Sequence, residues 1–185
     1  LTASHNPGGI DADFGVKFNG ENGAAAAEHI TNAIFAKSLE IQELRMAELP
    51  PIPIDECGSR TFTVEDHPFE IDVISSTEDY IRLLQKVFDF PKIATLFKRP
   101  DFRFYFDAIH GVSSVYAVPI FHDLLGAPRS SLHRCEPKPD FGGNHPDPNL
   151  TYAAELVRAM AVNSLGERVP SATAEASFGC ATDGD

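Results

Sequence analysis

The stretch FRFYFDAIHG, residues 102–111, indicates where the centre of the fold lies. Its first half is aromatic and typical of a β-strand, and Asp107 stands at the end of that strand. Gly111 then turns the chain into a predicted helix over roughly 112–125, which Pro119 is expected to kink or shorten. A strand that leads directly into a helix is the first part of the repeating unit of α/β proteins.

The same alternation continues toward the end of the chain. A second strand is predicted at 131–135 and a third at 174–181. Between them, a loop rich in Gly, Pro and Asn at 140–149 precedes a helix with apolar side chains at Tyr152, Leu156 and Met160. This order of elements, strand, helix, strand, helix and strand, predicts a parallel sheet with crossover helices. Ligands of such sheets bind in loops beyond the carboxyl ends of the strands.

The first part of the chain has a different pattern. A short strand is predicted at 14–18 and a helix over 24–48, a segment rich in Ala, Glu, Ile and Leu. Two further strands are predicted at 60–65 and 69–74, with a turn at His67-Pro68 between them.

A domain boundary is predicted near residue 75, where Ser75-Ser76-Thr77 is able to cap a following helix. The sequence therefore predicts an α/β protein with two mixed or parallel-sheet domains with crossover helices, 1–75 and 76–185.

Composition excludes several function classes. The chain has 27 acidic and 15 basic residues and a net charge of −12, which argues against nucleic acid or an anionic membrane as the main partner. Its apolar runs are too short to span a bilayer, so no integral membrane segment is predicted. Three widely spaced cysteines, Cys57, Cys135 and Cys180, are typical of a reducing compartment and favour a cytoplasmic protein.

The opening stretch TASHNPGG, residues 2–9, is poor in core-forming side chains and dense in polar chemistry. Its Pro-Gly-Gly turn is able to present backbone N–H groups to an anion. Ser4 is a candidate nucleophile, which needs a base or a metal nearby, and His5 is a candidate proton carrier. Lys17 follows as a candidate cation or acid/base group. The competing interpretation is a surface turn with incidental Ser and His.

The closing loop, Asp183-Gly184-Asp185, presents two carboxylates that are able to converge on one hard cation, Mg²⁺ or Ca²⁺. An acidic turn without a metal is the competing interpretation. Two carboxylates leave Mg²⁺ short of ligands, and a phosphate on Ser4 would supply a third oxygen.

Together these segments resemble the alpha-D-phosphohexomutase family, in its phosphoglucomutase branch. The resemblance lies in residues 2–9, in DAIHGV at 107–112, in FGGNHPDPNL at 141–150 and in DGD at 183–185. It covers essentially the whole chain, in the order that the family has. It implies that residues 1–75 are the later part of domain one and 76–185 most of domain two.

The resemblance also implies the chemistry. Ser4 would be the phosphoserine, His5 and Lys17 would assist proton transfer and phosphate contact, and Ser4, Asp183 and Asp185 would bind Mg²⁺. The implied reaction is an intramolecular phosphotransfer, an isomerase reaction of carbohydrate metabolism. It interconverts the hexose phosphates glucose 1-phosphate and glucose 6-phosphate through glucose 1,6-bisphosphate.

The family's proteins are several times longer, so we expect this chain to be part of a longer protein. The 185 residues alone are then expected to be no efficient mutase and to expose apolar surface.

Two other functions stay open: a parafusin-like phosphoprotein scaffold in secretion without mutase activity, and a Mg²⁺-dependent phosphatase, which Ser4 in a turn disfavours. For His110, His145 and Asp147, hydrogen bonds that fix loops are favoured over a catalytic role. Asp107 is expected to cap the turn that follows it.

Overall fold

The computed structural model describes residues 6, 10–12, 15–163, 165–169 and 176–185. These residues fall into two compact units, one over Lys17–Tyr80 and a larger one that contains Ile81–Asp185. Among the described residues, no helix is long and apolar enough to cross a membrane.

The smaller unit contains helix α1 (Glu28–Ser38) and an antiparallel hairpin of β1 (Gly58–Val64) and β2 (His67–Val73). The two predicted strands are therefore confirmed, but the predicted turn is wrong. The turn lies at Glu65 and Asp66, which both have positive φ angles, of 48° and 65°. Two consecutive residues with positive φ match the twist of a tight hairpin, which explains why the turn forms there.

Two other predictions for this unit are also wrong. Residues 15–18, the described part of the predicted strand at 14–18, form no strand, and no neighbouring strand pairs with them among the described residues. The helix predicted over 24–48 is confined to α1, and 41–50 has no regular structure. No residue of α1 is buried, and Phe35 and Leu39 are about two-thirds exposed, so the expected apolar surface is present in this unit.

Helix α2 (Glu78–Val87) contains Ile81, where the longer segment of the larger unit starts. The first turn of α2 is capped by Ser75, as the sequence predicts. The Ser75 hydroxyl oxygen accepts hydrogen bonds from the backbone N–H groups of Thr77 and Glu78, at 3.4 and 3.3 Å. Helix α3 (Phe90–Phe97), which the sequence pattern did not predict, follows at once. Asp89 caps it by accepting from the Lys92 N–H at 3.1 Å.

The larger unit is built on a three-stranded parallel sheet, which confirms the predicted sheet. Its strand order is β4 (Leu132–His133), β3 (Phe104–Asp107), β5 (Phe178–Ala181). Helix α4 (Ser114–Ala117) lies in the crossover from β3 to β4, and helix α5 (Ala154–Ala159) lies in the crossover from β4 to β5.

The central strand β3 is buried along its whole length and separates two apolar clusters. Phe104 and Phe106 pack on one face with Phe121, at ring-centroid distances of 4.9 and 5.1 Å. Tyr105 packs on the other face with Ala159. A strand with buried side chains on both faces is what a parallel sheet covered by helices requires.

Pro119 has the effect that the sequence predicts on the helix after β3. Helix α4 ends at Ala117, and Val118–Leu124 continues as a π-helix. Proline has no N–H to donate, so the regular α-helical ladder cannot pass through it. The wider turn persists to the end of the segment, where the Leu125 N–H donates to the Ile120 carbonyl at 3.0 Å.

The three cysteines are free thiols and differ in burial, which predicts different reactivity. Cys57 is exposed, whereas burial raises the pKa of the partly buried Cys135 to about 11 and also raises the pKa of Cys180. Because the thiolate is the nucleophile, we expect iodoacetamide at pH 8 to alkylate Cys57 at least about tenfold faster than Cys135. Peptide mass spectrometry over time measures the three rates. In urea the rates should converge, and equal rates in the native protein would contradict the prediction.

Candidate functional site

The carboxyl ends of the three parallel strands meet at one edge of the sheet. Asp107, the last residue of β3, is paired in register with His133 of β4 and with Ala181 of β5. The loops that follow the three strands therefore begin side by side, as the topology of a parallel sheet requires. This edge is the candidate site, because it contains the acidic residues that the sequence singles out.

The acidic loop, Thr182–Asp185, is hydrogen-bonded to the other two loops through its backbone. The Thr182 N–H donates to the Asp107 carbonyl, and the Gly184 N–H donates to the Pro146 carbonyl, both at 3.1 Å. The Gly184 carbonyl accepts from the Val112 N–H at 3.0 Å. Residues on both sides of Asp183 are thus fixed by main-chain contacts.

Glycine at position 111 permits the closest of these contacts. A β-carbon at Gly111 would lie 2.9 Å from the Asp183 carbonyl oxygen and also 2.9 Å from the α-carbon and carbonyl oxygen of Gly184. Those three atoms belong to the backbone, so they cannot move aside by a change of side-chain rotamer, and only glycine fits at position 111. The turn after β3 and the acidic loop consequently touch without space between them.

A buried ion pair lies under the loops. Arg134, the first residue after β4, donates from Nε to Oδ1 of Asp107 at 2.8 Å and from Nη2 to Oδ2. The Asp107 side chain has no exposed surface, and that of Arg134 is 16% exposed. The hydrogen bonds from Arg134 to Asp107 raise the pKa of the guanidinium, so Arg134 carries its positive charge at neutral pH.

Each member of the pair also supports a loop. Asp107 Oδ1 accepts from the Ile109 N–H at 3.0 Å, which confirms the predicted cap of the turn after β3. Arg134 Nη1 donates to Asn144 Oδ1 at 3.2 Å. The Arg134 carbonyl accepts from the His110 N–H at 2.9 Å. One ion pair therefore contacts the loop after β3 and the loop after β4.

Backbone strain is concentrated in these loops. Ile109, His110, Arg134 and Phe141 all adopt positive φ angles, between 46° and 59°. Such angles are uncommon for residues other than glycine and unfavourable for the β-branched Ile109. The surrounding hydrogen bonds must therefore hold this conformation against the relaxed alternatives.

Hydrogen bonds that fix loops are predicted for His110, His145 and Asp147, and two of these three residues make them. His110 Nδ1 lies 2.7 Å from the Glu136 carbonyl oxygen. Asp147 accepts from the backbone and side-chain nitrogens of Asn149, at 3.3 and 2.7 Å. His145 instead stacks on Tyr152 at 4.1 Å, and its buried Nδ1 has no hydrogen-bond partner within the described chain.

The predicted site residues are only partly described. Asp183 and Asp185 lie in the acidic loop of the larger unit, and Lys17 lies at the start of the smaller unit. Ser4 and His5 lie outside the described residues. Arg134 was missed by the sequence pattern. Its signal was an arginine near the carboxyl end of the strand predicted at 131–135, because the carboxyl ends of parallel strands meet at the edge where Asp107 lies.

The donor set of the acidic loop fits a hard cation. Asp183 and Asp185 offer carboxylate oxygens, the ligands that Mg²⁺ prefers, and the contact with Gly111 fixes the backbone between them. In the part of the chain that the structure describes, no group of three or more His, Cys, Asp or Glu residues is able to hold a metal ion. A further oxygen would have to come from elsewhere, as the sequence predicts.

Comparison with protein families gives one match to this part of the chain. Residues 78–185 match the family described as phosphoglucomutase/phosphomannomutase, alpha/beta/alpha domain II. The matched range begins at α2 and contains the parallel sheet and the acidic loop.

Curated relatives match over the whole chain. The proteins named "Phosphoglucomutase, cytoplasmic" from Pisum sativum and "Phosphoglucomutase" from Emericella nidulans are 50% and 45% identical to it over 186 residues. Each match covers 100% of this chain and 31% of the relative, so the chain spans about a third of the length of these relatives.

A solved structure agrees with the fold. The chain matches the crystal structure of the exocytosis-sensitive phosphoprotein pp63/parafusin (phosphoglucomutase) from Paramecium, in its open form. The TM-score is 0.87 and the identity 43%, over 100% of this chain and 33% of that structure.

Proposed function

The chain belongs to the phosphoglucomutase/phosphomannomutase family, and from this premise we propose that it carries two functional loops of a phosphoglucomutase. These are the serine loop, residues 2–9, and the metal loop, which is the acidic loop Thr182–Asp185. The observation that carries the proposal is the acidic loop, fixed at the carboxyl edge of the parallel sheet within the matched domain. The relatives named phosphoglucomutase support glucose phosphates as the substrates.

The reaction assigns a role to the serine loop. A phosphoryl group on Ser4 is attacked by the free 6-hydroxyl of glucose 1-phosphate, which breaks the bond between phosphorus and the Ser4 oxygen and forms glucose 1,6-bisphosphate. The bisphosphate reorients and returns its other phosphoryl group to Ser4, which leaves glucose 6-phosphate. His5 and Lys17 take the proton from the attacking hydroxyl, return it to the leaving oxygen and contact the phosphate.

The acidic loop would hold Mg²⁺ through Asp183 and Asp185, with a phosphate oxygen on Ser4 as a further ligand. When bound, Mg²⁺ supplies positive charge that offsets the phosphoryl group and polarises it. The chain's own contribution is positioning. The hydrogen bond from Gly184 to Pro146 and the contact with Gly111 hold the backbone between Asp183 and Asp185 in place beside the strand ends.

The proposal extends to organisation and location. Residues 1–75 are assigned to the later part of domain one and 76–185 to most of domain two of the longer enzyme. Its partners are small hexose phosphates, and its compartment is the cytoplasm, which the names of the plant relatives and the free thiols support.

The experiment that tests the proposal follows the phosphoryl group. The full-length protein is incubated with glucose 1,6-bisphosphate labelled in its phosphates, and peptides are mapped by mass spectrometry. We expect one phosphoryl group per chain, on Ser4, together with conversion of glucose 1-phosphate to glucose 6-phosphate. Label on another residue, or turnover with no label on Ser4, would refute the assignment.

A second candidate function is a phosphoprotein in secretion that lacks mutase activity. The observation that supports this second function is the match to a structure named as an exocytosis-sensitive phosphoprotein. The same experiment separates the two functions, because a scaffold that keeps the serine loop but has lost sugar binding would give no turnover of glucose 1-phosphate.

A further inference from the structure

We infer that Arg134 is a positioning residue of the metal loop: through Asp107 it fixes the acidic loop and thereby sets the affinity for the divalent cation. The inference rests on the proposed function, in which Asp183 and Asp185 bind that cation. Arg134 itself contacts neither residue in the described hydrogen bonds and ion pairs.

Asp107 is hydrogen-bonded both to Arg134 and to the acidic loop. The Asp107 carboxylate accepts two hydrogen bonds from Arg134, and the Asp107 carbonyl accepts from Thr182, directly before Asp183. A rotation or shift of Asp107 would therefore move the hydrogen bond at which the acidic loop begins.

A second connection from Arg134 to the acidic loop runs through the loop after β4. Arg134 donates to the Asn144 side chain, two residues before Pro146. The Pro146 carbonyl accepts from the Gly184 N–H, between the two carboxylates. Because Pro146 is fully buried, this loop has little room to relax when its support is lost.

The turn after β3 contacts the acidic loop at Gly111, with no free space between the two backbones. The turn over Ile109–Gly111 depends on the pair twice, through the Asp107 carboxylate and through the Arg134 carbonyl. Its last residue touches the backbone of Asp183 and Gly184 so closely that even a methyl group would not fit. A displacement of the turn is consequently passed to the acidic loop.

Removal of the arginine would not leave these contacts unchanged. Asp107 has no exposed surface, so its carboxylate would remain buried without a countercharge. Protonation, entry of water or movement of the loop must follow. Partners that orient metal ligands from outside the coordination shell typically change metal affinity by 10–100-fold when they are lost.

The test measures the affinity of the full-length protein for Mn²⁺, a hard cation that oxygen ligands bind. Isothermal titration compares the parent protein with Arg134→Met and Arg134→Lys. We expect Arg134→Met to weaken Mn²⁺ binding by about tenfold or more. Lysine keeps the charge but not the two-point geometry, so Arg134→Lys should lie between the two.

Two controls separate positioning from general stability. Arg99→Met removes an arginine from a similar two-point pair with Asp101, which is exposed and precedes the amino end of β3. Phe97→Leu should lower stability by loosening the aromatic stack with Phe104, the first residue of β3, at the opposite end of that strand from Asp107. Both controls should bind Mn²⁺ as the parent does, although Phe97→Leu should lower the Tm.

The outcomes distinguish this inference from the proposed function. Asp183→Ala tests the site itself, and failure of the parent to bind Mn²⁺ through that residue would overturn both. If Asp183→Ala abolishes binding but Arg134→Met and Arg134→Lys bind normally, the inference is overturned and the metal site stands. If Arg134→Met does not fold, Arg134→Lys decides, by comparison with Phe97→Leu at a similar loss of Tm.

Discussion

Replacement of Ser4 by alanine is expected to reduce the conversion of glucose 1-phosphate to glucose 6-phosphate at least about a thousandfold in the full-length protein. In the proposed reaction, the Ser4 oxygen is bonded to the transferred phosphoryl group in the resting enzyme. Alanine has no atom that is able to take its place. Because the loss is in chemistry and not in folding, the Tm of the variant should equal that of the parent.

A coupled assay that follows glucose 6-phosphate measures the effect. Ser130→Ala, which removes an exposed hydroxyl group directly before the buried Ser131, is the matched control and should keep full activity. Residual Ser4→Ala activity within about tenfold of the parent would mean that the phosphoryl group is carried elsewhere, and the mutase mechanism proposed for this chain would fall.

Replacement of Asp107 by alanine is expected to lower the free energy of unfolding by about 3–5 kcal/mol. The change removes the countercharge of a largely buried guanidinium and the acceptor of the Ile109 N–H in one step. It does so under loops whose strained backbone depends on those hydrogen bonds. The loss is thus larger than that of an ordinary hydrogen bond.

Urea unfolding followed by circular dichroism measures this loss, with Asp101→Ala as the control. Asp101 pairs with Arg99 at the exposed surface, where solvent screens the ion pair, so this control should leave the free energy of unfolding nearly unchanged. Asp107→Asn keeps an acceptor for Ile109 and should fall between alanine and the parent. A loss within 1 kcal/mol for Asp107→Ala would show that the pair does not support the loops.

The parallel sheet was predictable because its signals are local. An aromatic strand, a turning glycine and an apolar helix follow one another within 102–125, and the unit is repeated downstream. The effect of Pro119 is local as well, since it follows from the missing N–H. The sequence pattern therefore placed Asp107, Asp183 and Asp185 at strand ends without knowledge of the register.

Two errors in the smaller unit concern where a turn and a helix end lie, which residue type alone does not determine. Proline is typical of turns, yet Pro68 lies inside β2, opposite Thr63, and the turn is formed by Glu65 and Asp66. The composition of residues 24–48 favours one long helix, yet α1 ends at Ser38, because helix propensity does not determine where a helix ends.

Arg134 was missed for a different reason, because its contact depends on a partner distant in sequence. Its partner is 27 residues earlier in the chain, and only the register of β3 with β4 brings the two together.

That same register has a consequence for the order of folding. Strand β3 pairs with β4 across about 26 residues but with β5 across about 74, and the longer closure costs about 1 kcal/mol more in chain entropy. We expect β5 to join the sheet after β4 and to detach from it first. Hydrogen exchange should therefore be faster in the amides of Phe178–Ala181 than in those of the β3–β4 pair. The metal loop, which continues from β5, would then be the last part of this unit to form.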